Sequence, residues 1–275
     1  MSYKVNSFIS CNKEVPSYEK NLSICLGTNG FSFSITSVRD EFLGFGEVSF
    51  DPNPSMSDAM TMIRGSFSDC GIATLGMHSV ELVVMSEHFV WIPDHLYEPG
   101  YDRKYLDPLC KVPTGMGVFC DHNDQIGAYL VFTSETTISA AFKIALPGLK
   151  IRCQHSKLVN PTLINRSDLR SILVLHIREK RLDVTVYCNK KLQMSNTFDA
   201  ANLQEVTYHA LNVMKQLHLE DALMEMLVCG DVDRAHYAQL SHYFPNSDLY
   251  VGRPLTKPNQ ELHELPAYRH ALILS

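Results

Sequence analysis

Apolar Phe31, Phe33 and Ile35 alternate with polar Ser32, Ser34 and Thr36, a period of two that predicts a half-buried strand. An apolar run, Leu22 to Leu26, precedes it, and Gly27-Thr28-Asn29-Gly30 between the two carries the Asn-Gly hairpin signal. The first ordered segment is therefore expected near Asn21. Phe42 to Phe50 reads as a third strand, stopped by Asp51-Pro52-Asn53-Pro54, because each proline removes a ladder donor. Ser55 is placed to cap a helix running to Arg64. Glu81 to Ser86 and His88 to Ile92 read as a strand pair. Pro93 to Pro113 has no sustained period and reads as loop with short helical turns. Met116 to Cys120 and Gly127 to Phe132 are expected strands. Ser134 is expected to cap a helix ended by Pro147-Gly148, and Leu149 to Cys153 to form a strand.

After a connection marked by Asn160-Pro161 and Asn165-Arg166-Ser167 the pattern restarts. Ser171 to Ile177 is apolar, Leu182, Val184 and Val186 alternate with polar neighbours, and Leu192 to Phe198 follows Lys190-Lys191. Asp199 is expected to cap a helix whose apolar face carries Leu203, Val206, Ala210, Val213, Met214 and Leu217. Met226 to Cys229 reads as a strand, Asp233 to Phe244 as a helix, Leu249 to Val251 as a short strand, and the tail from Glu261 as a last helix. Each half opens with three hairpin-linked strands and continues into helix and further strands. The fold class is α/β, with two similar domains on mixed sheets, expected at 15–160 and 161–275.

Composition narrows the function classes. A net charge of -6 does not recruit nucleic acid through an overall field. No apolar run is long enough to span a bilayer, and Met1 to Ser7 lacks a signal-peptide pattern, so a cytoplasmic location is expected. The 8 Cys include no C-x-x-C pair; Cys25, Cys188 and Cys229 lie in apolar runs and read as reduced, buried thiols.

Three motifs carry a resemblance to the actin-like ATPase fold, a ribonuclease H-like architecture shared by actin, sugar kinases and heat-shock chaperone ATPases. Ile24-Cys25-Leu26-Gly27-Thr28-Asn29 is similar to the first phosphate hairpin, Ile-Asp-Leu-Gly-Thr-Thr. The stretch from Leu175 to Val186 aligns without gaps to the second, Phe-Asp-Leu-Gly-Gly-Gly-Thr-Phe-Asp-Val-Ser-Ile. Met226 to Asp231 resembles the adenosine strand and its Gly-Gly turn. Within that fold the chain resembles a Bacteroidetes domain family of unknown function with degenerate nucleotide motifs, on Gly30 to Ile35 and Val228 to Asp231.

The departures are chemical. Cys25 stands where the family has a magnesium-holding Asp, and a thiol is a poor ligand for a hard cation. His176 replaces the second Asp. Arg178-Glu179-Lys180 replaces the Gly-Gly-Gly whose backbone N–H groups approach phosphate, and Cys229-Gly230 replaces Gly-Gly. Metal, phosphate and base contacts change together, so loss of ATP hydrolysis is expected, with no cofactor. If nucleotide binds, as ATP with magnesium, the resemblance places Gly27, Thr28, Arg178, Lys180, Asp183 and Gly230 at the site. Without the glycine cradle, Asp183 reads as a surface or hairpin-supporting residue.

The remaining candidates are weaker. Arg178, Lys180, Arg181, Lys190 and Lys191 lie on two turns and read as a phosphate or acidic-partner site, or as solvated hairpin tips. Asp231 and Asp233 read as helix caps ahead of ion ligands. Neither His236 with His242 nor Cys120 with His122 has zinc spacing. No Gly-x-Ser-x-Gly and no P-loop is present, although a triad assembled from distant segments leaves no local motif. Trp91 reads as packing, and Tyr97 to Leu109, with Tyr101 and Tyr105, as a partner-binding surface. The functional expectation is a non-catalytic interaction or scaffold module with a protein partner; the alternative is a divergent nucleotide binder or slow ATPase.

Overall fold

The computed structural model describes residues 3–10, 14–51, 54–160, 163, 171–219, 224–252 and 265–274. They form two compact units: 3–122, 127–154 and 265 in the first, 123–126, 155–252 and 266–274 in the second.

The first unit is built on a 6-stranded mixed sheet in the order β1-β4-β3-β2-β5-β9. Its strands are β1 (Tyr3–Ser10), β2 (Lys20–Gly27), β3 (Gly30–Ser37), β4 (Phe42–Phe50), β5 (Ser79–Val84) and β9 (Lys150–Cys153). β1 to β4 pair antiparallel, whereas β5 lies parallel to both β2 and β9. The strand expected to come first is thus the second: β1 lies before Asn21 and closes the edge on β4. A register shift between Val5 and Ser7 turns Ser7 inward and Phe8 outward, which breaks the alternation that would have announced it.

One face of this sheet is apolar and carries two helices, α1 (Met56–Asp69) and α3 (Thr136–Ala145). Leu22, Ile24, Phe31, Phe33, Leu82 and Ile151 pack there against Met62, Ile63, Phe67 and Phe142. Ser55 caps α1 as expected, accepting from the Asp58 N–H. Glu135, not Ser134, caps α3, accepting from the N–H groups of Thr137 and Ile138, while Ser134 is bonded to Ser139 Oγ. The expected pairing of Glu81–Ser86 with His88–Ile92 does not form. β6 (Phe89–Pro93) instead joins a 3-stranded sheet, β6-β8-β7, with β8 (Ala128–Glu135) and β7 (Met116–Asn123). The segment between β6 and β7 is loop with a short helix, α2 (Asp102–Leu106), as the sequence implies. Trp91 is half-buried on β6 against the first core.

The second unit repeats the plan without β1 and the small sheet. Its 5-stranded sheet has the order β12-β11-β10-β13-β14. The strands are β10 (Ser171–Arg178), β11 (Arg181–Cys188), β12 (Lys191–Asp199), β13 (Met224–Gly230) and β14 (Ser247–Leu249). α5 (Leu203–Gln216) and α6 (Arg234–Tyr243) cover one face through Val206, Ala210, Val213 and Leu240. Asn202, not Asp199, caps α5, accepting from the Glu205 N–H. Asp233 caps α6 through the His236 N–H. The tail ends in a short turn of 3-10 helix, Ala267–His270; positions 261–264, Pro161 and Asn165 to Ser167 lie outside the described residues. The opposite sheet face is covered in part by α4 (Gln154–Leu158), whose Leu158 carbonyl accepts from Tyr187 Oη at 2.7 Å.

Glycine is obligatory at Gly30 for contact, not for turn geometry: neither Thr28 nor Asn29 has a positive φ. A Cβ at Gly30 would lie 2.1 Å from the Val48 carbonyl oxygen, whereas one at Gly27 would meet nothing closer than 3.6 Å. Gly30→Ala is therefore expected to destabilise the fold by roughly 1–3 kcal/mol through strand displacement. Gly27→Ala, at a surface turn, should stay within about 0.5 kcal/mol of wild type. Urea unfolding midpoints of the two variants decide this.

Candidate functional site

The second phosphate-type hairpin, β10–β11, supplies the densest buried polar cluster. Registration places Arg178 opposite Arg181, His176 opposite Asp183 and, across the next ladder, Asp183 opposite Thr197. Cys229 on β13 lies opposite His176 on its other side. Side chains in such a row stand on one sheet face, close enough to bond directly. The first unit has the same hairpin registration with other chemistry, Gly27 facing Gly30 and Cys25 facing Ser32.

Asp183 is fully buried, against the expectation of a surface role. Its Oδ1 accepts from Arg178 Nη2 at 2.8 Å and Thr197 Oγ1 at 2.7 Å, and Oδ2 is 2.9 Å from His176 Nδ1. His155 Nε2 approaches Oδ1 at 3.5 Å. Burial pushes the Asp183 carboxyl up, but the hydrogen bonds and charges of His155 and His176 outweigh it and hold the group well below the usual carboxylate range. An ionised carboxylate only accepts, so His176 Nδ1 and Thr197 Oγ1 both donate to it. Arg178 is turned in and committed to Asp183, whereas Lys180 is exposed on the turn.

His155, on α4, is fully buried beside this carboxylate. Its Nε2 lies 3.0 Å from Thr197 Oγ1 and its Nδ1 2.8 Å from Ser195 Oγ. Burial lowers its pKa from 6.5, with Asp183 opposing, so the ring is neutral. Thr197 gives its proton to Asp183 and can only accept from the imidazole, so Nε2 carries the hydrogen. Nδ1 is then the lone pair, and Ser195 donates to it. The sequence singled out Asp183, Arg178 and His176 but not His155, Ser195 or Thr197. Those three come from segments some 40 positions apart or on a strand with no motif, and no local spacing flags them.

The other candidates disperse. Gly27 and Thr28 form an exposed turn of the first unit. Gly230, at φ +91°, ends β13 in the left-handed region, where a Cβ would strike the Ile177 carbonyl at 2.1 Å. The basic residues do not form one patch. The Glu179-Lys180 and Asn189-Lys190 turns lie at opposite ends of β11, and Arg181 is paired with Asp199. Burial pushes the Cys229 thiol strongly up, which removes it as a thiolate ligand. In the first unit, Arg152 binds Asp121 at 2.9 Å and Glu81 at 3.4 Å, and Glu81 accepts from Ser23 at 2.7 Å. Among the described residues, no group of three or more His, Cys, Asp and Glu is arranged to hold a metal ion. Nor is any helix long and apolar enough to cross a membrane.

Two outcomes follow from this cluster. Asp183→Asn leaves Arg178 without its counter-charge and is expected to cost about 3 kcal/mol or more, read as a lowered denaturation midpoint. The second concerns pH. Burial holds His155 below 6.5 and, with the Arg269 charge, brings His270 to about 4. Between those values the unfolded chain binds more protons than the folded one, so stability is full above pH 6.5 and declines as pH falls toward 4. Asp183 extends the loss below 3.8. Thermal unfolding across this range should show the decline, and His270→Gln should flatten it.

Comparison with solved structures shows the actin-like ATPase fold. A Bacteroides thetaiotaomicron protein with an actin-like ATPase fold and unknown function superimposes with a TM-score of 0.70 at 18% identity, over 85% of this chain and 91% of that one. The PilM–PilN type IV pilus biogenesis complex gives a TM-score of 0.55 at 11% identity, covering 94% of this chain and 97% of that one. The ethanolamine utilization protein EutJ from Carboxydothermus hydrogenoformans gives 0.52 at 10% identity, covering 97% and 92%. No curated protein matches the sequence. The model of the protein family of unknown function DUF3822 matches residues 12–247. With most of its length so matched, and with the actin-like fold of two hairpin-led sheets, the chain belongs to the DUF3822 family.

Proposed function

We propose that this chain is a cytoplasmic, non-catalytic interaction or scaffold module that works without ATP or magnesium and serves a protein partner. The observation that carries the reading is the saturation of Asp183. It is the carboxylate that aligns with the family Asp after the second phosphate hairpin, and Arg178, His176 and Thr197 already fill its acceptor sites. A carboxylate so engaged has no lone pair directed at an incoming hydrated cation, and Cys25 supplies none in the first hairpin. Phosphate contact would have to come from Arg178 and Lys180, and Arg178 is spent on Asp183. A role in an assembly is compatible with the use of this fold in a pilus biogenesis complex.

Titration calorimetry of the full chain with millimolar ATP and ADP, with and without magnesium, tests the reading. No saturable heat and no thermal shift are expected. Saturable micromolar binding, or magnesium-dependent turnover, would replace it with the nucleotide-binding alternative.

A further inference from the structure

The hydrogen bonds around His155 run in one direction: Ser195 O–H to Nδ1, Nε2–H to Thr197 Oγ1, Thr197 O–H to Asp183. A hydroxyl, a neutral imidazole with its lone pair on that hydroxyl, and an ionised carboxylate behind the imidazole are the parts of an activated nucleophile. The base is buried, but the hydroxyl is not: Ser195 is half-buried on β12, the edge strand of its sheet. Holding a serine inward on an imidazole is unnecessary for an edge strand, whose opposite face already packs Met194 and Phe198 against the second core.

We propose that Ser195 is an activated serine, a covalent modification site that takes an acyl group from an activated ester. Ser195 Oγ attacks the acyl carbon and the Oγ–C bond forms. Its proton passes to His155 Nδ1, where Thr197 and Asp183 face the imidazolium that results. The bond from the acyl carbon to the leaving oxygen breaks with its electron pair, and that oxygen takes the proton from Nδ1. The products are an O-acyl Ser195 and an alcohol, with His155 neutral again. Arg178 and His176, the other charged or titratable groups against this carboxylate, each bond Asp183 and leave the Ser195–His155 contact clear. The step needs no nucleotide and does not rest on the function proposed above.

Full-length protein is mixed with p-nitrophenyl acetate, release of p-nitrophenol is followed, and the acetylated peptide is mapped. The expected result is a burst near one equivalent per chain with the acetyl on Ser195. The burst should be absent in Ser195→Ala and slowed by about 10²-fold or more in His155→Gln. Because burial holds His155 below 6.5, the burst rate should hold level as pH is lowered to 6.5 and fall only beneath it. That pH profile, measured on wild-type protein, stands in if His155→Gln does not fold. Acetylation absent from Ser195, a burst retained in Ser195→Ala, or a rate indifferent to His155 and to acid would each overturn the proposal.

Discussion

An anion without water must be satisfied by the protein around it, and Asp183 imposes that demand on the inner face of the second unit. Arg178 comes in from the end of β10, His176 from across the ladder and Thr197 from the edge strand, with His155 at the rim from α4. Removing any one partner leaves a buried charge short of a donor, which costs more than the contact itself is worth. The registration of three strands and the seat of a connecting helix are thus tied to one carboxylate. The apolar packing of α5 and α6 on the other face stabilises the sheet but does not choose between registers in the same way.

The first unit solves the same topology differently. Its hairpin row carries Cys25 and Ser32 where the second unit has His176 and Asp183, and neither side chain brings in a buried charge. Specification comes instead from aromatic packing, with Phe31, Phe33 and Phe67 in mutual contact, and from Gly30, whose missing side chain lets β3 and β4 close up. One plan is therefore held by a polar node in one copy and by ring packing in the other.

Most elements were legible because hairpins and amphipathic helices write their period locally: β2, β3, β4, β10, β11 and α5 follow from alternation and turn residues. β1 was hidden by its own bulge. β5 was read as half of a hairpin because a strand buried on both faces lacks alternation, and nothing local says that its partners are β2 and β9. Ser134 and Asp199 are good capping residues, but helix entry is fixed by where the preceding strand ends, and Glu135 and Asn202 occupy that point. The motif comparison located His176, Arg178 and Asp183 as departures from a pattern. It said nothing about their mutual engagement, which depends on cross-strand distances, nor about His155, which arrives from another segment altogether.

The crossing from the first unit to the second at α4 takes place between adjacent residues, both fixed. Gln154 uses its amide on the backbone of Ser86, donating to the carbonyl at 2.7 Å and accepting from the N–H at 2.8 Å, while His155 is bound to Ser195 and Thr197. There is no slack at this point of the chain. A length change of even one residue between 154 and 155 would uproot one anchor or the other. Insertions and deletions among relatives should therefore avoid this peptide bond, although junctions between compact units are usually where chains tolerate them best.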